Sequence, residues 1–376
     1  MKEHLKACLI ALSLTLCITP VVRALTITTF DPPDSIVTEV RAINNAGTIA
    51  GVFVDSSFMQ HGYVRRADGT ITTFDPPDSI VTEVRAINNA GTIAGDFDDS
   101  SFVRRGYVRK ADGTITTFDS PGSTSTFAVG INNAGTIAGL FLDSGDMFHG
   151  YERRVDGTIT TFDPPDSTLT FFRDINDAGT IVGFFWDSSF ISHGYVRRAD
   201  GTITTFDPPD SIFTEISGIN NAGTIAGVFE DSSFNFHGYE RRADGTITTF
   251  DPPDSVGAGV SGINNAGTIA GVFVDSSFMQ HGYVRRADGT ITTFDPPDSI
   301  GPGVIDINDA GTIAGEFDDS SFVHHGYVRG ADGTITTFDP PDSANTFVFG
   351  INNAGTIAGI FSDSGGMQHG YVASLP

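Results

Sequence analysis

The chain has 376 residues, a formal net charge of −25 and only two cysteines, Cys8 and Cys17. Such acidity disfavours nucleic acid and anionic membranes, both of them polyanions. The length allows a large core without disulfides, and no stretch holds the roughly 18 apolar residues that a membrane helix needs.

The first element is a leader. Lys2 and Lys6 precede an apolar run from Ala7 to Thr19, Pro20 breaks it, and Val22-Arg23-Ala24 sets small residues around a cleavage point. This layout predicts a secretory signal peptide over 1–24, removed near Ala24. Leu16-Cys17 lacks the small residue expected before a lipid-modified cysteine. The mature chain, 25–376, is then an exported protein, periplasmic or extracellular, with no cysteine and no membrane span. Losing Lys2, Lys6, Arg23 and Glu3 takes its net charge from −25 to −27.

The mature chain is a single repeat used many times. Ile-Thr-Thr-Phe-Asp begins at Ile27, Ile71, Ile115, Ile159, Ile203, Ile247, Ile291 and Ile335, always 44 residues apart. Eight copies account for the whole mature length. In the first, Thr26 to Phe30 is β-branched and aromatic and predicts a strand. Asp31-Pro32-Pro33-Asp34-Ser35 ends it, because proline cannot donate to a ladder. Val37 to Ile43 is a second strand, Asn44-Asn45-Ala46-Gly47 a turn, and Thr48 to Val54 a third strand apolar on both faces. Asp55-Ser56-Ser57 opens a loop and His61 to Arg66 is a fourth strand. Ala67-Asp68-Gly69 is a hairpin signal into the next Thr-Ile-Thr-Thr-Phe.

Four short strands per 44 residues predict an all-β, eight-bladed β-propeller forming a single domain. An open or spiral solenoid is the alternative. In the propeller the Val37 strand is innermost, the Thr48 and His61 strands follow, and the next Thr-Ile-Thr-Thr-Phe is outermost. Glycine and alanine suit the crowded inner strands, and arginines and threonines suit an outer edge in water. The first Thr-Ile-Thr-Thr-Phe has no blade before it, and the last blade, ending His369-Gly370-Tyr371-Val372, lacks an outermost strand. Thr26–Phe30 is therefore expected to pair with Gly370–Ala373 and close the ring.

Gly218-Ile219-Asn220-Asn221-Ala222-Gly223-Thr224-Ile225-Ala226-Gly227 and Asp174-Ile175-Asn176-Asp177-Ala178-Gly179-Thr180-Ile181-Val182-Gly183 resemble bacterial extracellular repeats of the HAF family. That family follows such a stretch with His-Ala-Phe, where this chain has His-Gly-Tyr, as at His193-Gly194-Tyr195. The resemblance covers all eight copies. It implies an exported bacterial protein with a propeller-like fold, and it brings no catalytic residue.

Two residue series could carry chemistry. His61, His149, His193, His237, His281, His325 and His369 share one position, with Arg105 in the second copy. Neighbouring blades would hold them on the order of 10 Å apart, too far for one metal with ligands at about 2 Å. A structural pairing is expected instead: Asp55 with His61, Asp143 with His149, Asp187 with His193, Asp231 with His237 and Asp275 with His281. Arg105 would reach Asp98 or Asp99. The second series flanks Pro-Pro: Asp31 and Asp34, Asp75 and Asp78, Asp163 and Asp166, Asp207 and Asp210, Asp251 and Asp254, Asp295 and Asp298, Asp339 and Asp342. With Asp55 these carboxylates should form one acidic face. It would attract a divalent cation, a glycan or a basic protein, calcium being the metal that oxygen-rich loops favour.

No Asp-x-Asp-x-Asp-Gly loop, nucleophile elbow, His-Glu-x-x-His or Cys-x-x-Cys occurs. The copies differ most after the Pro-Pro loop and just before the histidine. The leading expectation is a monomeric, noncatalytic binding scaffold that needs no cofactor. The alternatives are a carbohydrate-active or other hydrolase with carboxylates near the channel mouth, and a structural surface protein.

Overall fold

The computed structural model describes residues 25–374. The leader expected over 1–24 lies outside them. Thirty-two strands run in chain order from β1 (Thr26–Phe30) to β32 (Gln368–Ser374), and no helix occurs among the described residues. In the first copy β2 spans Ser35–Ile43, β3 Ile49–Asp55, β4 Gln60–Arg65 and β5 Ile71–Phe74. Consecutive strands pair antiparallel, β2 with β3, β3 with β4 and β4 with β5. Later copies repeat the unit.

The last unit differs in one respect. It contains β30 (Ser343–Ile351), β31 (Thr356–Asp363) and β32, and its fourth strand is β1. Thr26 lies opposite Ser374, Ile27 opposite Ala373 and Phe30 opposite Gly370, the pairing the sequence predicts. No sheet closes on itself. The hydrogen-bonded strands fall into groups of twelve, four, eight, four and four. The larger groups arise where single parallel bridges stitch one unit to the next: Val37 to Gln368, Gln60 to Val81 and Ser192 to Phe213.

The innermost strands meet at their turns. Asn44 Nδ2 donates to Asn88 O at 3.0 Å, and Asn88 Nδ2 to Asn132 O at 3.1 Å. The same bond runs on through Asn176, Asn220, Asn264 and Asn308 to Asn352, whose Nδ2 donates to Asn44 O at 3.0 Å. Each Oδ1 accepts a backbone amide of its own turn, as from Thr48 N at 3.0 Å. These buried amides are therefore satisfied on both sides, as burial demands. Ile43, Asn44, Asn45 and residues of the same turn from every other copy line one central depression.

The core sits between units. Val40, Ile49, Phe53 and Tyr63 pack against Ala358 and Ile360 of the preceding unit, and the other clusters repeat this plan. Tyr63 and its seven counterparts are fully buried. A Cβ at Gly51 would stand 2.1 Å from Glu39 O and 2.7 Å from the Tyr63 ring, so the central strand requires glycine there. The outer edge corrects one expectation. Arg65, Arg109, Arg197, Arg241, Arg285 and Arg329 are buried rather than in water. Each guanidinium lies 4.7–4.9 Å from the ring centroid of a Phe in the preceding unit, as Arg65 does over Phe30. The planar cation stacks where a lysine could not.

Candidate functional site: the loop face

Strand register sets the two ends of each unit. Ser35 lies opposite Asp55 and Gly62 opposite Phe74, so the Asp31–Ser35 and Asp55–Gln60 loops emerge on one side. Ile43 lies opposite Ile49 and Arg65 opposite Ile71, which puts the asparagine and Asp-Gly turns on the other. We call these the loop face and the turn face.

On the loop face each of the seven recurring histidines lies between two carboxylates. His61 Nε2 is 3.4 Å from Asp55 Oδ2, the expected partner, and Nδ1 is 2.7 Å from Asp75 Oδ2. The expected partner is the weaker one throughout. His149, His193, His237 and His281 stand 3.3–3.6 Å from Asp143, Asp187, Asp231 and Asp275. Their Nδ1 atoms lie only 2.8–3.0 Å from Asp163, Asp207, Asp251 and Asp295. His325 meets Asp339 at 2.8 Å, and His369 meets Asp31 at 2.8 Å across the chain ends. Arg105 makes the same double bridge, to Asp99 and to Asp119, rather than to Asp98.

This geometry divides the predicted acidic series. The first aspartates are internal struts. Asp75 Oδ1 accepts Thr82 Oγ1 at 2.7 Å while Oδ2 faces His61, and Asp31, Asp163, Asp207 and Asp339 do the same with their own threonines. Asp251 and Asp295 lack that threonine, and there the histidine approaches both carboxylate oxygens. Asp55 is engaged too, its Oδ1 accepting Ser57 N at 2.8 Å and Met59 N at 2.9 Å.

The second aspartates are left open. Asp34, Asp78, Asp166, Asp210, Asp254, Asp298 and Asp342 all have φ of 62–67° and are exposed. Asp78 accepts Ser100 Oγ at 3.1 Å, which joins the Pro-Pro turn to the Asp99–Val103 loop of the same unit. Among the described residues no group of three His, Cys, Asp or Glu is placed to hold a metal ion, so the calcium expectation finds no ready site.

Charges respond to this packing. Burial lowers the affinity of His61 for its proton, but the hydrogen bond and charge of Asp75, then Asp55, outweigh it and raise the pKa above its ordinary value. His149, His237, His281, His325 and His369 shift the same way for the same reasons. The Met59 amide hydrogen bond holds Asp55 below the usual carboxylate range, with Ser57 and His61 adding to it against some desolvation.

Sequence reasoning missed the loop tips. Phe58, Phe102, Phe190, Phe234, Phe278 and Phe322 have φ of 61–66° and are 74–84% exposed. The left-handed region costs a residue with a Cβ on the order of 1 kcal/mol. The third and eighth copies put Asp146 and Gly366 there. The signal was the residue type itself: aromatic where a tight loop calls for glycine or asparagine. Also missed was an asymmetry between copies. Phe171 packs on Phe184 at 4.9 Å and edge-on to Trp186 at 5.7 Å, with Phe148 at 5.7 Å. In the second copy Asp96, fully buried, instead binds Arg85 at 2.9 Å and Arg104 at 2.7 Å. Burial pushes the Asp96 carboxyl up, against the pull of those two arginines.

The same fold recurs in solved structures. A prolyl endopeptidase aligns over 88% of this chain and 55% of its own, with 11% identity and a TM-score of 0.60. The β-propeller domain of the Trilobed protease from Pyrococcus furiosus, described as having an open velcro topology, aligns over 81% and 99%, with 12% identity and a TM-score of 0.53. The Dos1 propeller aligns over 91% and 93%, with 11% identity and a TM-score of 0.54. The fold of the chain is a β-propeller. The chain spans between half and two thirds of the length of that prolyl endopeptidase and of the puromycin hydrolase it also matches. At these identities the likeness concerns the fold alone. No family model matches the chain, and no curated relative matches it.

Proposed function

We propose that this chain is an exported, noncatalytic, eight-bladed propeller of HAF-type repeats that binds through its acidic loop face. Eight four-stranded units, the unbroken circuit of asparagine bonds and the β1–β32 pairing support the blade count and the closure. The pairing of the chain's two ends contrasts with the open topology named for the Pyrococcus propeller.

One observation carries the binding reading. Seven aspartates stand exposed in left-handed turns on a single face, beside carboxylates already committed to histidine and threonine. Single surface charges act weakly through salt water, but potentials summed around one rim do not. The peptidase neighbours share the fold, and a fold alone argues no reaction.

The test changes the seven aspartates, Asp34 through Asp342, to asparagine, a residue that tolerates the left-handed turn. Calorimetry with poly-L-lysine should show binding to the native protein that weakens steeply as sodium chloride rises. The variant should bind at least tenfold more weakly. Equal affinity in the variant would leave the face as a solubility device only.

A further inference from the structure

The exposed apolar side chains of the molecule are not scattered. Fourteen of the sixteen large ones belong to the loop face, Val155 and Phe349 being the exceptions. Single exposed apolar residues are ordinary, and their concentration on one face makes that face the candidate interaction surface of the molecule. Six of them are the phenylalanines at the loop tips, each in a backbone conformation that its own Cβ disfavours. A loop needing only to turn would place glycine there, as the eighth copy does with Gly366. Nothing internal compensates the six, because their rings lie in solvent rather than in the core.

We propose that these six rings form an aromatic crown that docks a protein surface or segment rich in arginine and lysine. The proposal rests on the loop-face reading above and deepens it by naming the contact residues and the partner chemistry. The occupant follows from charge. The Ser100–Asp78 hydrogen bond sets a crown loop directly against one of the seven exposed carboxylates. A guanidinium can lie on the face of Phe102 while its neighbour pairs with Asp78. The chain already uses the first contact internally, where Arg65 and its counterparts stack on phenylalanine. Aromatic residues, phenylalanine among them, and arginine are enriched at protein interfaces relative to the rest of the surface. An anionic membrane would meet the same carboxylates and be repelled. A second copy's loop face carries the same sign.

Replacing all six, Phe58 through Phe322, with glycine separates binding from folding. The substitution removes the rings and relieves the left-handed strain, so the thermal midpoint should stay level or rise. Binding of poly-L-arginine near physiological salt should weaken at least tenfold, and the native protein should prefer poly-L-arginine to poly-L-lysine, since guanidinium stacks better. Unchanged poly-L-arginine affinity in the glycine variant would overturn the crown. If the seven Asp→Asn changes still abolished binding, the loop-face reading would survive that failure. If native protein bound neither polymer, both would fall. Tighter binding to phosphatidylcholine vesicles or to neutral oligosaccharides, or self-association lost in the glycine variant, would also overturn the proposal.

Discussion

Gly62 shows how much a single position can dictate. The Phe74 ring lies over it so closely that a Cβ would stand 2.5 Å from a ring carbon, and the same holds in the other copies. This gives a physical reason for the glycine of His-Gly-Tyr. Gly62→Ala should force the Phe74 ring off its strand and cost about 1–3 kcal/mol, the usual range for overpacking. Urea unfolding monitored by circular dichroism measures it, and a change within error would mean that the outer strand yields freely. The histidines were legible only in part. Asp55 lies six residues before His61 across a visible loop, so that contact could be read from sequence. Asp75 is fourteen residues away, and its approach depends on the register of β4 with β5. Phe58 passed unread because loop tips are expected to be small and polar.

At the level of strands, the hydrophobic pattern and the Pro-Pro and Asp-Gly punctuation located all four elements of the unit. Their ends moved by one or two residues, as with β2, which starts at Ser35 rather than Val37. Strand order followed from the unmatched elements at the two ends, and β1 does lie along β32. Without β1 the outer side of β32 would be an open edge, with Phe30 lifted from Gly370 and Arg65. Deleting residues 25–30 should therefore lower the thermal midpoint by several degrees and promote aggregation. Differential scanning fluorimetry and size-exclusion chromatography would register both. A variant as stable and monodisperse as the parent would mean that β1 contributes nothing. The buried arginines were misread because a charged residue on an outer strand is normally solvated, and their stacking partner comes from a different copy.

For the whole molecule the repeat period was the most legible feature. The circuit of asparagine bonds was not, since each bond joins the turns of different copies, 44 residues apart and 308 where the ends meet, and nothing within one turn marks the contact. The recurring histidine sites also act together. Six histidines bind protons more tightly folded than unfolded, so their contribution is complete below the ordinary value of 6.5 and is lost as pH rises through the raised one. Asp55 and its counterparts act in the opposite sense, contributing above 3.8 and failing as pH falls below it. The thermal midpoint should thus be highest between about pH 4 and about pH 6.5 and decline toward about pH 8. Changing these six histidines to glutamine should flatten the decline, and an unaltered slope would assign it elsewhere. The chain ends lead to one more consequence. Ala373 faces Ile27 in the register that Arg65 holds with Ile71, where five residues join the two strands. A five-residue connection there, of which Ser374, Leu25 and Thr26 already supply three, would turn the described chain into a continuous loop with no geometric seam. Any other outer hairpin could then be opened in its place. Opening the loop at another outer hairpin would leave the strand order of every unit unchanged.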